Sequence, residues 1–277
     1  MGNHELTLTE IWTSRVIDEW IESQVVAKLV DTSFQPMFVN YGDTLVVPHT
    51  TAATVLARSH NTDLTRLATT ETSTNVSIDK DYYTFRILEP MAGKQSIVDL
   101  LSEYTKVDAK AMAYNVDVSL CALFYTLNSN TRKGTLLSDV TDNDLLACVQ
   151  ALDDNLCPRE NRKWVISPAT WNSLMQIDKF VHLDYVNPSA ETAVEAAKLN
   201  RPVYGAIPYV TTAVEDDNTN GHNCALMHTE AMILIQQQEP KVRVAYDTRL
   251  GADSLLLEMF YGVGEKRDTA GICLQGK

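Results

Sequence analysis

The sequence predicts an α+β fold organised around one long helix, and three observations carry that expectation. No Gly or Pro interrupts Ser96–Leu127. Helical and strand-like segments alternate from Thr141 to Asp178, and helices alternating with single strands around one sheet give an α+β layer. Two strand-like segments also bracket a long polar stretch, His49–Asn75, which describes a hairpin projecting from the body.

Within the long stretch, Ile97, Leu100, Leu101, Tyr104, Val107, Ala111, Tyr114, Val118, Ala122 and Tyr125 recur at steps of three and four. That spacing places them on one face of a 3.6-period helix. Ser96 followed by Asp99 reads as a capping box at its start. Roughly 32 residues at 1.5 Å each make a rod of about 48 Å, against about 11–12 residues for an average helix. Such a rod serves as a strut with other elements laid across it. Asp99, Glu103, Lys106, Lys110 and Asp117 form its polar face, so it does not span a membrane. Two shorter helices broken near Val107–Ala109 are the alternative.

Apolar residues make up 45% of the 277-residue chain, enough for a substantial core. The 23 basic and 36 acidic residues give a net charge of −13. A chain so acidic does not grip nucleic acid over a wide surface, because phosphate neutralisation needs clustered Lys and Arg. The five cysteines are odd in number and scattered, which favours reduced thiols over a disulfide framework. The N-terminal residues lack the basic and apolar regions of a signal peptide, and position six is Leu6 where a myristoylation signal has Ser or Thr.

Leu6–Leu29 reads as an amphipathic helix, with Ile11, Ile17, Trp20, Ile21, Val25 and Leu29 mostly on one stripe. Trp12 and Trp20 give this N-terminal arm a large apolar surface that docks either on its own domain or on a neighbour. Tyr41–Pro48 is a turn and a strand. After the polar stretch, Val76–Ile78 and Tyr83–Leu88 return as strands, with Tyr83, Phe85 and Ile87 alternating. A loop this long reaches a neighbour or is disordered. Thr141 with Asp144 caps a helix whose face is Leu145, Val149, Leu152 and Leu156. Trp164–Ile166 is a strand, and Ser167-Pro168 opens a helix carrying Trp171, Leu174 and Met175. A short Ala- and Glu-rich helix follows Asn187, then a strand at Val203–Thr212 and an exposed acidic loop at Glu215–His222. Ala225–Gln236, Lys241–Tyr246 and Ser254–Tyr261 are extended and apolar.

No catalytic apparatus rises above background. His222, Cys224 and His228 are three candidate zinc ligands whose spacing matches no standard finger, and ordinary core and surface roles are the better reading. Asp153-Asp154 and Asp216-Asp217 read as solvated surface. Gly262-Val263-Gly264-Glu265-Lys266 lacks the P-loop spacing, and Ser167 is explained by its cap.

The order of these parts resembles the tailed-phage major capsid proteins of the Hong Kong 97 type over nearly the whole chain. Glu10–Phe34 is similar to that family's N-terminal arm. Tyr41–Pro48, the polar stretch and Val76–Glu89 are similar to its extended loop, and Ser96–Leu127 to its spine helix. Thr141–Asp178, with its Trp164–Leu174 strand-to-helix turn, is similar to the rest of the peripheral domain. Arg201–Val214 and His222–Gln238 resemble the axial domain, and Ser254–Leu274 the closing strands. The resemblance implies an arm at 1–40, an extended β-hairpin loop at 41–90, a peripheral domain at 91–185 with the spine at 96–127, an axial domain at 186–240, and closing strands at 241–277. It departs at Pro208, where the family often has Gly, and in the loop tip, which has Arg58 and Arg66 but no Lys for a covalent join.

The resemblance implies a shell protein that forms hexamers and pentamers around a double-stranded DNA genome, held by non-covalent contacts. An encapsulin-type compartment around an enzyme cargo is the alternative on the same fold. No enzymatic activity, cofactor or membrane is expected. The expected partners are further copies of the chain, a separate scaffolding protein, a portal, a decoration protein, and packaged DNA in weak non-specific contact. The expected location is the virion, after assembly in the host cytoplasm. The candidate contacts between subunits are Trp12, Trp20, Arg58, Leu64, Arg66 and Asp81.

Overall fold

The computed structural model describes residues 3–34, 44–50, 55–57, 60, 71–88, 100–181, 202–214, 216–217, 221–249 and 251–277. The long helix, α2, runs over Leu100–Cys121 without a break at 107–109 and tightens into a 3₁₀ turn at Ala122–Tyr125. The Ser96–Asp99 capping box lies outside the described residues.

The structure corrects which face of this helix is buried. Val107, Tyr114, Val118 and Tyr125, expected inside, are between 37% and 53% exposed. Ala109, Met112, Ala113, Val116 and Leu120 are buried instead, together with Asp108 and Asp117. Both stripes satisfy a 3.6 period, so periodicity cannot choose between them. The choice falls on the face whose small residues permit close approach, flanked on its two opposite edges by acids that find partners.

Those two acids fix what lies against the helix. Asp117 is 2% exposed and accepts backbone N–H bonds from Val25 at 2.8 Å, Val26 at 3.1 Å and Ala27 at 2.9 Å. These are the donors left where α1 (Asn3–Ser23) ends and the chain turns. α1 packs along α2, with Val16 and Trp20 buried and Glu19 paired to Lys110 at 2.8 Å. Asp108 receives the Arg86 Nε at 2.8 and 2.9 Å, and the same guanidinium lies 5.0 Å from the Tyr104 ring. Arg86 sits on β3 (Lys80–Leu88), so this pair bolts a sheet to the helix.

That sheet is antiparallel in the order β3-β10-β9, where β9 is Met232–Asp247 and β10 is Ala252–Glu265. β1 (Thr44–Thr50) and β2 (Glu71–Ser77) form a separate two-stranded hairpin, with Thr44 opposite Ser77 and Thr50 opposite Glu71. The hairpin therefore closes at Ser77. The aromatic strand at 83–88, expected as its closing strand, belongs to the body.

The second sheet has the order β4-β11-β8-β5-β6. Its strands are β4 (Arg132–Gly134), β5 (Arg162–Ile166) and β6 (Ile207–Val210), then β8 (Gly221–His228) and β11 (Gly271–Gly276). The short β7 (Asp216–Asp217), expected as exposed loop, pairs with β8. The expected single segment Ala225–Gln236 is split between β8 and β9 by a turn, in which the Ala231 N–H donates to the His228 carbonyl at 2.9 Å. Pro208 lies on β6, the last strand in the order, where a missing N–H is tolerated.

Two helices pack on this sheet as their caps dictate. α3 (Asp142–Asp154) carries the full Thr141–Asp144 capping box and buries Leu145, Cys148 and Leu152. Leu156, expected on the same face, follows the helix end at φ 53° and is 85% exposed. α4 (Pro168–Leu174) opens with the Thr170 N–H donating to the Ser167 Oγ at 3.1 Å. All five cysteines are free and buried. The Ala- and Glu-rich segment after Asn187 lies outside the described residues.

Replacing Asp117 by Ala strands three buried donors at the arm anchor, and each unsatisfied donor costs about 1–3 kcal/mol before relaxation. Asp117→Ala is expected to lower stability by about 3 kcal/mol in chemical denaturation, with Asp117→Asn losing less because one acceptor remains. An unchanged midpoint would contradict this role.

Candidate inter-subunit surface

Strand alternation gives β3 two different faces. Residues directly opposite on antiparallel strands share a face, so Arg86, Leu255 and Val244 belong to one side, and Phe85, Leu256 and Arg243 to the other. Arg86 fixes the first side against α2. The second side is left open: Tyr83 is 68% exposed, Phe85 52% and Ile87 47%. Asp81 shares this outer face, opposite Phe260. Glu258, opposite Tyr83, pairs with Arg243 at 3.3 Å. The face is thus an apolar row with acids at one end.

The hairpin is the complementary element. Among the described residues it pairs with no third strand, and an isolated two-stranded hairpin is marginally stable at best. Val47 and Val76 near its base are buried, whereas Val46 is 55% exposed and Val55 and Leu56, beyond β1, are 93% and 51% exposed.

The hairpin base sits in a small core of its own, formed by Val76, Ile78, Ile233 and Ile235 with Phe34 packed against it. The end of the arm runs alongside: the Asp31 N–H donates to the Met232 carbonyl and the Leu234 N–H to the Asp31 carbonyl, each at 3.1 Å. Lys266 pairs with the Asp31 carboxylate and holds its ammonium 5.2 Å from the Phe34 ring. Burial pushes the Asp31 carboxyl up, but hydrogen bonds from Lys266 and Ser33 outweigh it and hold the group below the ordinary carboxylate range.

The six sequence candidates fare differently. Asp81 is exposed on the open face. Trp20, 3% exposed, belongs to the main core of its own chain, so its apolar surface is spent within the subunit. Trp12 lies on α1, and Arg58, Leu64 and Arg66 lie outside the described residues. Tyr83, Phe85 and Ile87 carried a signal in their alternation, but it marks a strand without saying which side is covered. Tyr261, in the closing strands, is buried against α2 with its hydroxyl 2.8 Å from the Ser119 Oγ, and burial pushes its phenol up to about 12.

The candidate metal ligands do not converge. On an extended strand His222 and His228 are about 20 Å apart, and Cys224 is fully buried between them, bonded to the Ser167 N–H at 3.3 Å and beside the Thr170 Oγ1 at 3.2 Å. Burial pushes the Cys224 thiol up and the His228 imidazole down, and the His228 Nδ1 accepts the Glu230 N–H. Among the described residues no group of three or more His, Cys, Asp or Glu is placed to hold a metal ion.

No protein-family model and no curated protein matches the sequence. Solved structures do match. A Mycobacterium phage Che8 structure superposes with a TM-score of 0.78 over 92% of both chains at 18% identity. The capsid of the cyanophage P-SCSP1u gives 0.72 over 92% of this chain and 88% of that one, at 17% identity. The chain has a Hong Kong 97-type capsid fold. A virus-like particle from Pyrococcus furiosus shares it at a TM-score of 0.64 and 10% identity, over 97% of this chain and 99% of that one.

A depressed carboxyl contributes stability above its unfolded value that is lost as pH falls through its folded value. Asp31→Asn is therefore expected to be less stable than the native chain above about pH 5. The gap should close as pH falls below the ordinary aspartate value of 3.8. Denaturation midpoints across pH read this directly, and a gap independent of pH would contradict it.

Proposed function

We propose that this chain is the repeating subunit of a closed protein shell, a phage major capsid protein, in which the hairpin of one copy lies over the open β3 face of the next. The observation that carries the reading is that open face, together with a hairpin that pairs with no third strand among the described residues, on a fold whose structural neighbours include phage capsids. The row Tyr83, Phe85 and Ile87 offers apolar cover to the hairpin. Asp81 offers charge complementary to Arg58 and Arg66, which the sequence carries between β1 and β2. An exposed ion pair contributes only about 0–1 kcal/mol, so apolar burial supplies the affinity and charge the register. A heterologous contact of this kind, repeated head to tail, closes into rings of five and six.

In this reading the shell is held without covalent joins, encloses a double-stranded DNA genome, and is built with separate scaffolding, portal and decoration proteins. The net charge of −13 suits a wall that tolerates packed DNA without gripping it. The role is structural, with no cofactor, and the location is the virion. The neighbours on this fold include a virus-like particle from Pyrococcus furiosus as well as phage capsids, so a second reading is a compartment around an enzyme cargo, which the contents of purified particles would separate from the first.

Placing a carboxylate in the apolar row tests the contact. Native protein expressed with its neighbouring genes is expected to sediment as large particles, whereas Phe85→Glu expressed in the same way remains at subunit size with an unchanged circular dichroism spectrum, since Phe85 is half exposed in the subunit. Native protein that stays monomeric, or Phe85→Glu particles in undiminished yield, would overturn the proposal.

A further inference from the structure

The base of the hairpin crosses β10 at two glycines. A Cβ on Gly262 would stand 2.4 Å from the Ser77 carbonyl oxygen and 3.1 Å from the Ile78 Cα. A Cβ on Gly264 would stand 2.6 Å from the Val76 Cγ2. Real side chains do not tolerate such distances, so the hairpin occupies the space that these residues leave empty. Neither glycine has a positive φ. Their role is close approach, as expected of Gly inside a strand.

Opposite these glycines on β9 stand Ile235, paired with Gly262, and Ile233, paired with Gly264. The two isoleucines are the floor on which Val76 and Ile78 pack, in a core separate from the main one. The same short stretch holds the end of the arm. Asp31 bridges to Ile233, and two residues beyond Gly264, Lys266 pairs with Asp31 and lies over Phe34, which closes the hairpin's core. The Lys266 backbone is fixed in turn by its N–H donating to the Ala231 carbonyl at 2.9 Å.

We propose that Gly262, Gly264 and Lys266 form one seat that couples the hairpin to the end of the N-terminal arm, so that loosening either segment loosens the other. The coupling itself is a property of the subunit. Its consequence, that two segments reaching other copies move together, rests on the shell reading. Phe34 is the physical link, because one ring contacts both the Lys266 ammonium and the Val76–Ile78 cluster. Two packed segments sharing one small core open as one cooperative unit, not as two.

Hydrogen exchange on the full-length chain tests this, with lesions made from each side. Lys266→Met keeps the aliphatic bulk and removes the charge; it is expected to raise exchange about tenfold in 72–78 as well as in 31–34. Protection in α2 and β8 should be unchanged. Lys266→Arg should restore both segments. Gly264→Val, which displaces Val76, is expected to raise exchange in 31–34 as well as in 72–78. A Lys266→Met effect confined to 31–34, or a Gly264→Val effect confined to 72–78, would overturn the coupling. If Gly264→Val does not fold, Lys266→Met decides alone. Failure of the native chain to form particles would remove the shell reading and leave the exchange result standing.

Discussion

Two carboxylates buried at opposite edges of the packed side of the long helix α2 set the architecture. Burying a charge is costly unless it is hydrogen-bonded, and each of these two is. Asp117 takes three backbone donors from the turn after α1, and burial still pushes its carboxyl above the ordinary range. Asp108 takes the Arg86 guanidinium and with it the β3-β10-β9 sheet. Arm and sheet are therefore referred to the same rod, and everything that projects from the body is aimed by it.

What the rod leaves uncovered follows from what it binds. Once Arg86 points toward the helix, strand geometry turns Asp81, Tyr83, Phe85 and Ile87 outward. Once the arm covers one side of α2, Val107, Tyr114 and Val118 are left on the other. In the proposed shell, further copies of the chain cover this open apolar surface and the hairpin that has little core of its own. The small core around Val76 and Ile233 meets the same need locally: it holds the hairpin at its base while leaving its length free to engage a neighbour.

Much of this was legible in the sequence, and the rest was hidden for physical reasons. The Thr141–Asp144 box and the Ser167-Pro168 start were readable because capping is local chemistry, and both appear as expected. The order of parts pointed to the capsid fold that the structural neighbours share. The buried face of α2 was not readable, because two stripes of the same period compete and the winning one is flanked by acids that look like surface. The size of Trp20 suits docking on its own domain and on a neighbour alike, and the structure buries it in the main core of its own chain. The hairpin boundary was placed at the aromatic strand because period-two alternation identifies strands without naming their partners. Gly262 and Gly264 were weighed only as a phosphate loop; glycines two apart inside a strand already implied a close backbone crossing.

Electron microscopy of the chain expressed alone and with its neighbouring genes tests the central claim most directly. Closed shells, or tubes and rings built from groups of five and six, are the predicted result. A monodisperse monomer under both conditions would contradict it, leaving a capsid fold used for something other than a shell.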